Sequence, residues 1–319
     1  MDEMENKVHW IEVKIECDSE LADALAEVLG RFVSHGVVVE ALTRFNPETQ
    51  ENEPTGGLSV SGYLAADEEL EAKQQKLEEA LWHLGQISPI PEPQYKPIKD
   101  ENWMDAWKAH YEPVPIGQNL LILPAWVQPE GHESRTVIRI NPAMAFGTGT
   151  HPTTQLCLQL LEKHILPEIK VIDVGCGSGI LSIAALKLGA AHVLAVDVDR
   201  QAVTATLENA GINDLSSGVL ETGQGSVKEL RTGQFTIHSA PLVMVNILAS
   251  IIIKLFEEGL SELVQEGGTL LLSGILNPQE TEVLQLAEKE GFILFERLRD
   301  GDWVSLALQK SRKETNELI

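Results

Sequence analysis

Apolar and polar side chains alternate over His9–Cys17, as they do in a half-buried strand. Asp18-Ser19 then offers a helix N-cap, and Leu21, Leu25, Val28, Leu29 and Phe32 recur along one helical face. Gly36 precedes the β-branched run Val37–Thr43. Asn46–Gly57, with Pro47, Pro54, Gly56 and Gly57, reads as a polar loop. Leu58–Leu64 reads as a third strand. Asp67–Gly85 reads as a long helix with Leu70, Leu77, Ala80, Leu81 and Leu84 on one side. Closed by a strand near Tyr95, this order predicts a small α+β, ferredoxin-like split βαβ domain. Pro89, Pro91, Pro93 and Pro97 exclude a helix interior and mark a stiff boundary. Beyond it, Lys99–Tyr111 reads as a linker helix whose Trp103 and Trp107, at i and i+4, call for burial.

Pro113–Val127 and Thr136–Ile140 read as strands, and from Asn141 the pattern becomes α/β. A helix from Thr154 to about His164 precedes the strand Lys170–Val174, a glycine-rich turn and the helix Ile180–Leu188. The strand His192–Val198 and the helix Gln201–Ala210 follow, then a Gly/Ser-rich stretch. Leu242–Asn246, read as the fourth parallel strand, leads into a helix over Leu248–Leu263. The strand Thr269–Gly274 and the helix Pro278–Glu290 come next. Phe292–Arg299 and Trp303–Lys310 flank Asp300-Gly301, a hairpin turn. Continuous apolar strands alternating with helices predict a doubly wound parallel sheet, and the hairpin adds an antiparallel edge. The implied division is residues 1–97, a linker over 98–113, and residues 114–319.

Composition narrows the function classes. The 319 residues are 43% hydrophobic and 23% charged, enough for a sizeable core. With 24 basic and 48 acidic side chains the net charge is −24, which argues against general nucleic-acid or membrane-surface binding. Residues 1–100 hold 21 acids and 8 bases, net −13, so the first third is the acidic part and suits a basic partner. Cys17, Cys157 and Cys176 have no paired spacing, which reads as a reduced, cytoplasmic chain without a metal site. The polar start Met1–Lys7 is no signal peptide, and no apolar run is long enough to span a bilayer.

The strongest chemical signal is Asp173-Val-Gly175-Cys-Gly177-Ser-Gly179, which follows a strand and opens a helix. The glycines let the backbone turn tightly and approach a ligand. The nicotinamide fingerprint is G-x-G-x-x-G, whereas here the spacing is G-x-G-x-G with an acid two residues ahead. An acid there suits the ammonium of S-adenosylmethionine (AdoMet) and resembles motif I of class I methyltransferases. Asp197, 22 residues after Gly175, stands where an acid can take both ribose hydroxyls. Asp199 shares its strand face and competes for the role, though it fits a solvated loop acid better. In Asn141–Thr154, Phe146 belongs to a flap-like loop, Thr153 or Thr154 could cap the next helix, and His151 reads as structural. Asn246 ends a parallel strand, where ligands of open α/β sheets bind. It reads either as an amide that orients an amine or as the cap of the next helix.

With these residues in hand, the chain resembles the ribosomal protein L11 methyltransferase (PrmA) family. The resemblance is carried by Glu101–Lys108, Pro124–Trp126, Asn141–Thr154, Val171–Gly189, Ala195–Asp199 and Asn246–Ala249. It implies a Rossmann-like class I methyltransferase domain behind a small substrate-recognition domain. It also implies transfer of methyl groups from AdoMet, which becomes S-adenosylhomocysteine, to lysine ε-amines and the α-amine of a basic large-subunit ribosomal protein. Carried over by position, Thr154, Gly175, Asp197 and Asn246 would contact AdoMet, joined by Asp173 and Gly177 of the motif. Asn246 and Phe146 would flank the methyl-transfer site. The chain departs from the family at Arg200, where a proline is usual. It departs again over Ser216–Ala240, where the aspartate-containing approach to strand four is missing, so the adenine contact is left unassigned. No metal, membrane or direct nucleic-acid contact is implied, and a monomer is expected. The rival readings are a class I methyltransferase of a small molecule or RNA, and a non-catalytic AdoMet sensor.

Overall fold

A computed structural model describes residues 10–33, 37–46, 51–67, 69–85, 89–98, 113–129, 131–132, 134–141 and 149–312. The stretch Lys99–Tyr111 read as a linker helix, with Trp103 and Trp107, and the residue Phe146 lie outside them. The described residues form two compact units, one ending at Ile98 and the other beginning at Pro113.

The first unit runs β1 (Trp10–Cys17), α1 (Ser19–Gly30), β2 (Val37–Asn46), β3 (Glu51–Ala65), α2 (Leu70–Gly85) and β4 (Gln94–Ile98). Its sheet has the order β2-β3-β1-β4, with every neighbouring pair antiparallel. Asp18 caps α1 by accepting the Leu21 N–H at 3.0 Å. Leu21, Leu25 and Leu29 of α1 and Leu77 and Leu81 of α2 bury against Val13, Ile15, Val60 and Leu64. The loop read over Asn46–Gly57 is largely strand: Asn46 pairs with Glu51, Phe45 with Asn52, Arg44 with Glu53 and Thr43 with Pro54. Of β3, only Leu58–Ala65 pairs with β1, so Pro54 lies where β3 has a neighbour on one side, the position a missing N–H tolerates.

The second unit opens with a three-stranded sheet of β5 (Val114–Ile116), β6 (Leu120–Pro124) and β7 (Thr136–Ile140). The single strand read over Pro113–Val127 is thus an antiparallel pair. Its turn is fixed by Glu162, whose carboxylate accepts the N–H groups of Gln118 (2.9 Å) and Asn119 (2.5 Å).

The rest alternates α3 (Pro152–His164), β8 (Lys170–Val174), α4 (Ile180–Lys187), β9 (His192–Asp197), α5 (Arg200–Ile212), β10 (Leu220–Gln224), α6 (Val227–Arg231) and β11 (Ala240–Asn246). It ends with α7 (Ala249–Glu257), β12 (Val264–Leu276), α8 (Glu280–Lys289), β13 (Phe292–Asp300) and β14 (Trp303–Lys310). The seven-stranded sheet has the order β10-β9-β8-β11-β12-β14-β13, parallel through β12 and antiparallel at β14 and β13. This is the doubly wound α/β sheet with an antiparallel edge that the sequence predicts. Strand alternation sends Val171, Val193, Leu242 and Met244 to the layer of α3, α4 and α5. Ile172, Val174, Val243 and Val245 go to the layer of α6, α7 and α8. Each fully buried Val, Leu or Ile contributes about 1.5–3 kcal/mol.

Three readings need correction. β10 and α6 occupy part of the supposed Gly/Ser-rich stretch. The helix read over Leu248–Leu263 stops at Glu257, because Gly259 is left-handed (φ 100°) and a 3₁₀ turn, Leu260–Leu263, follows. β12 runs from Val264 to Leu276, well beyond Thr269–Gly274.

Candidate functional site

The strand order reverses between β8 and β11, whose following helices lie on opposite faces. The crevice beyond their carboxyl ends is where such sheets take ligands. β8 delivers Asp173 and the glycine loop to it, and β11 delivers Asn246. In register, Met244 faces Asp173 and Val245 faces Val174, so Asn246 emerges beside Gly175. Gly175, Gly177 and Gly179 have φ of 79°, 53° and 79°, and a Cβ on Gly175 would come within 2.7 Å of Ile247 Cγ2. Glycine at 175 is what lets the two strand ends approach.

Asp173 is fully buried. Its Oδ2 accepts the Ser182 hydroxyl at 2.6 Å, while its Oδ1 has no hydrogen-bond partner. Burial pushes the carboxyl up to about 7; the Ser182 hydrogen bond pulls against that, and the negative Asp197 adds to it. Asp197 turns its carboxylate back on the loop. Its Oδ2 accepts the Gly177 N–H at 3.0 Å and its Oδ1 the Asp199 N–H at 2.9 Å. Burial raises its pKa too, opposed by those N–H groups. Two carboxylates facing one glycine loop suit a ligand with a cation and hydroxyls, and disfavour a pyrophosphate. Asp199, read as a solvated loop acid, is exposed and also caps α5 by accepting the Gln201 N–H at 2.8 Å.

Asn246 is half-buried and donates from Nδ2 to Thr154 Oγ1 at 3.3 Å. It caps no helix, since α7 begins at Ala249 behind Leu248. Thr154 is fully buried in the first turn of α3. Neither Thr153 nor Thr154 is the α3 cap. His151 holds that place, its Nδ1 accepting the Thr153 N–H at 3.3 Å, and its ring meets Trp303 edge-on at 5.0 Å. Pro152, which has no N–H to satisfy, then stands first in the helix.

Asp173, Gly175, Gly177, Asp197, Asn246 and Thr154 thus gather at one edge of one sheet, with Phe146 outside the described residues. The sequence reading missed what braces them. Thr206 Oγ1 donates to the Gly177 carbonyl at 3.0 Å. Asn209 donates to the Ser178 carbonyl at 2.8 Å and accepts the Asn141 N–H at 2.9 Å. Ser182, Thr206 and Asn209 are all fully buried, and a polar residue at an apolar helical position was the available signal. The orphan Oδ1 and the left-handed glycines fit the amino-acid end of AdoMet. Among the described residues no group of three or more His, Cys, Asp or Glu could hold a metal ion, and no helix is long and apolar enough to cross a membrane.

Known proteins resemble this chain. The family model for ribosomal protein L11 methyltransferase (PrmA) matches residues 9–311. A ribosomal protein L11 methyltransferase from Herpetosiphon aurantiacus is 38% identical over 95% of this chain and 99% of its own. One from a Synechococcus species is 39% identical over 95% of this chain and 97% of its own. The crystal structure of a ribosomal protein L11 methylase from Lactobacillus delbrueckii subsp. bulgaricus is 33% identical. It superposes with a TM-score of 0.56, covering 63% of this chain and all of that one. The chain belongs to the ribosomal protein L11 methyltransferase family.

Proposed function

We propose that this chain is an AdoMet-dependent protein N-methyltransferase that modifies ribosomal protein L11 in the cytoplasm, at lysine ε-amines and the α-amine. The observation that carries the proposal is the buried Asp173 Oδ1, without a partner, at the end of a strand that leads into a left-handed glycine loop, beside an amide held by Thr154. Asp173 receives the ammonium of AdoMet, Gly175 and Gly177 let its amino-acid end lie against the backbone, and Asp197 accepts the ribose hydroxyls. AdoMet supplies an electrophilic methyl group.

Asn246, with Nδ2 engaged by Thr154, presents Oδ1 as acceptor for an N–H of the substrate amine and so aims its lone pair. An amine attacks only when neutral, and lysine ordinarily titrates near ~10.4. Closing a dry pocket over the amine lowers that value by disfavouring its charge. No side chain need act as a strong base, so positioning and desolvation carry the rate. On the family resemblance, Phe146 is assigned to the flank of the transferred methyl. Residues 1–97, with their net charge of −13 over the first hundred positions, form the surface that meets the basic substrate. Residues 98–113 link that part to the catalytic residues 114–319.

The test incubates the purified chain with AdoMet and L11 and maps added methyl groups by mass spectrometry. Methylated amines on L11 are expected. Transfer only to RNA or a small molecule would replace the substrate assignment. AdoMet binding without transfer to any amine would make the chain a sensor, and binding of NAD instead would overturn the cofactor.

A further inference from the structure

Behind Asn246 runs a chain of buried hydroxyls that the reaction above does not use. Ser273 on β12 and Ser305 on β14 are both fully buried. Ser273 Oγ donates to the Thr153 carbonyl at 2.8 Å and lies 2.5 Å from Ser305 Oγ. A serine hydroxyl has one proton. That of Ser273 is committed to Thr153, so the proton between the two serines belongs to Ser305. The chain therefore has a direction: Ser305 donates to Ser273, and Ser273 donates to the first turn of α3.

Apolar side chains would pack β12 against β14 without the cost of burying two hydroxyls. What the hydroxyls add is a directional tether between sheet and helix. Its anchor point, Thr153, precedes Thr154, whose Oγ1 accepts from Asn246. At the strand end, Ser273 is the register partner of Asn246, and its carbonyl accepts the Ile247 N–H at 3.2 Å. Ser273 thus grips both supports of the Asn246–Thr154 bond, the helix through its side chain and β11 through its backbone. Next to it, Gly274 is left-handed (φ 82°), and any Cβ there would overlap the Ile247 carbonyl oxygen, so the contact between the two strand ends is tight.

We propose that Ser273, backed by Ser305, is a positioning residue for methyl transfer. It sets the spacing of α3 and β11 at which Thr154 holds the Asn246 amide, leaving Oδ1 for the substrate amine. The inference rests on the reading of Asn246 as the residue that orients that amine. It goes beyond that reading in assigning a function to a buried hydroxyl that touches neither substrate nor cofactor.

The test is a double-mutant cycle in the full-length protein with AdoMet and L11: Ser273→Ala, Asn246→Ala and the pair together, with Ser305→Ala as a milder variant. Ser273→Ala is expected to keep AdoMet Kd within about twofold and to lower kcat roughly tenfold, the scale of a slightly misplaced reacting group. In the Asn246→Ala background it should cost nothing further, because its effect passes through Asn246. A second readout needs no turnover: the Asn246 side-chain NH₂ signals in NMR spectra of the cofactor-free protein, identified by their loss in Asn246→Ala. They should shift and exchange faster in Ser273→Ala. An additive loss in the double variant, or unmoved NH₂ signals, overturns the inference. Full kcat in Asn246→Ala overturns the underlying reading instead, and the NH₂ signals still report whether Ser273 holds the amide. If Ser273→Ala does not fold, Ser305→Ala takes its place in both measurements, with the same outcomes deciding.

Discussion

Replacing Asp173 by asparagine should stabilise the cofactor-free protein while weakening its affinity for AdoMet more than about 100-fold. In the fold the Asp173 carboxyl titrates at about 7, against 3.8 for an ordinary aspartate, with burial the main cause. The sign follows from which state binds the proton more tightly. Here the native state does, so stability falls as pH rises from about 4 to 7 and the full cost stands above 7. A gap of about 3 pKa units at ~1.4 kcal/mol each makes that cost about 4 kcal/mol. Asparagine removes the charge, and its oxygen can still accept the Ser182 hydroxyl. Its NH₂ group would occupy the place where Oδ1 has no partner, which costs about 1–3 kcal/mol. The balance at pH 8 is a gain of about 1–3 kcal/mol, at roughly 2–4 °C of Tm per kcal/mol for a unit of this size. On lowering the pH to 5 the advantage of the variant should shrink by about 3 kcal/mol, because the wild-type carboxyl is then neutral. AdoMet affinity moves the other way. Truncating one side of a buried charge pair costs about 3–5 kcal/mol, so Asp173→Asn should bind more than about 100-fold more weakly. For the wild type, affinity should fall about tenfold per unit below pH 7, and again above about 8 as the α-amine of AdoMet loses its proton. Thermal melts and calorimetric titrations from pH 5 to 8.5 measure both. A variant less stable than wild type at pH 8, or AdoMet affinity that is flat between pH 5.5 and 7, would refute the reasoning.

Further outcomes separate neighbouring roles. Asp197→Ala should weaken AdoMet at least tenfold by calorimetry, whereas Asp199→Ala should leave affinity unchanged and cost about 1 kcal/mol in a urea melt, the worth of a lost helix cap. Gly274→Ala should cost more than about 2 kcal/mol in the same melt, from a strained φ and a displaced Ile247 carbonyl. Glu296 accepts from Lys163 at 2.5 Å and from His164 at 2.6 Å, and Lys163 chiefly holds its carboxyl below the usual range. Its contribution is therefore present above the ordinary glutamate pKa and lost as pH falls through the lowered value. Because the group is partly exposed, Glu296→Gln should cost less than about 1 kcal/mol at pH 7, by chemical melt, and progressively less as the pH is lowered through that value. If the acidic first hundred residues steer a basic substrate, the stopped-flow association rate with L11 should fall steeply with salt, and a salt-independent rate would leave the charge to solubility alone.

The sequence made the central sheet legible because its strands are buried on both faces and read as apolar runs such as Leu242–Val245. It hid the elements whose stability comes from a distant neighbour. β10 is Leu-Glu-Thr-Gly-Gln, with one apolar side chain, and is a strand because it pairs with β9 at the edge of the sheet. Residues 51–57 have two glycines and a proline, and the stretch reads as strand because β2 pairs with residues 51–54 at its start and with Leu58 onward beyond it. Pattern reports burial, whereas edge pairing needs only backbone, so the errors fall where side chains do least. Gly259 could have been read as the end of its helix, since a glycine followed by a new apolar cluster is a stop signal.

The same division runs through the site. Asp173, the three glycines and Asp197 are legible because their chemistry is local: a strand end, a turn that demands φ > 0, and a second strand end about twenty residues on. The capping residue of α3 was misread because cap preference favours threonine. His151 wins the position because Pro152 sets the helix start two residues earlier than a Thr153 cap would. That shift has a consequence. With the cap moved to His151, the hydroxyl of Thr154 is no longer spent on its own helix and can hold Asn246, 92 positions away in the chain. Ser273, Ser305 and Asn209 were not legible for a related reason. Ser273 and Ser305 are small polar residues in apolar runs and Asn209 sits on the buried side of its helix, each with a partner 68 to 120 positions distant or on a neighbouring strand. No spacing rule connects such pairs, yet a buried hydroxyl or amide must find a partner, so each is a demand for a contact whose other half only the fold identifies.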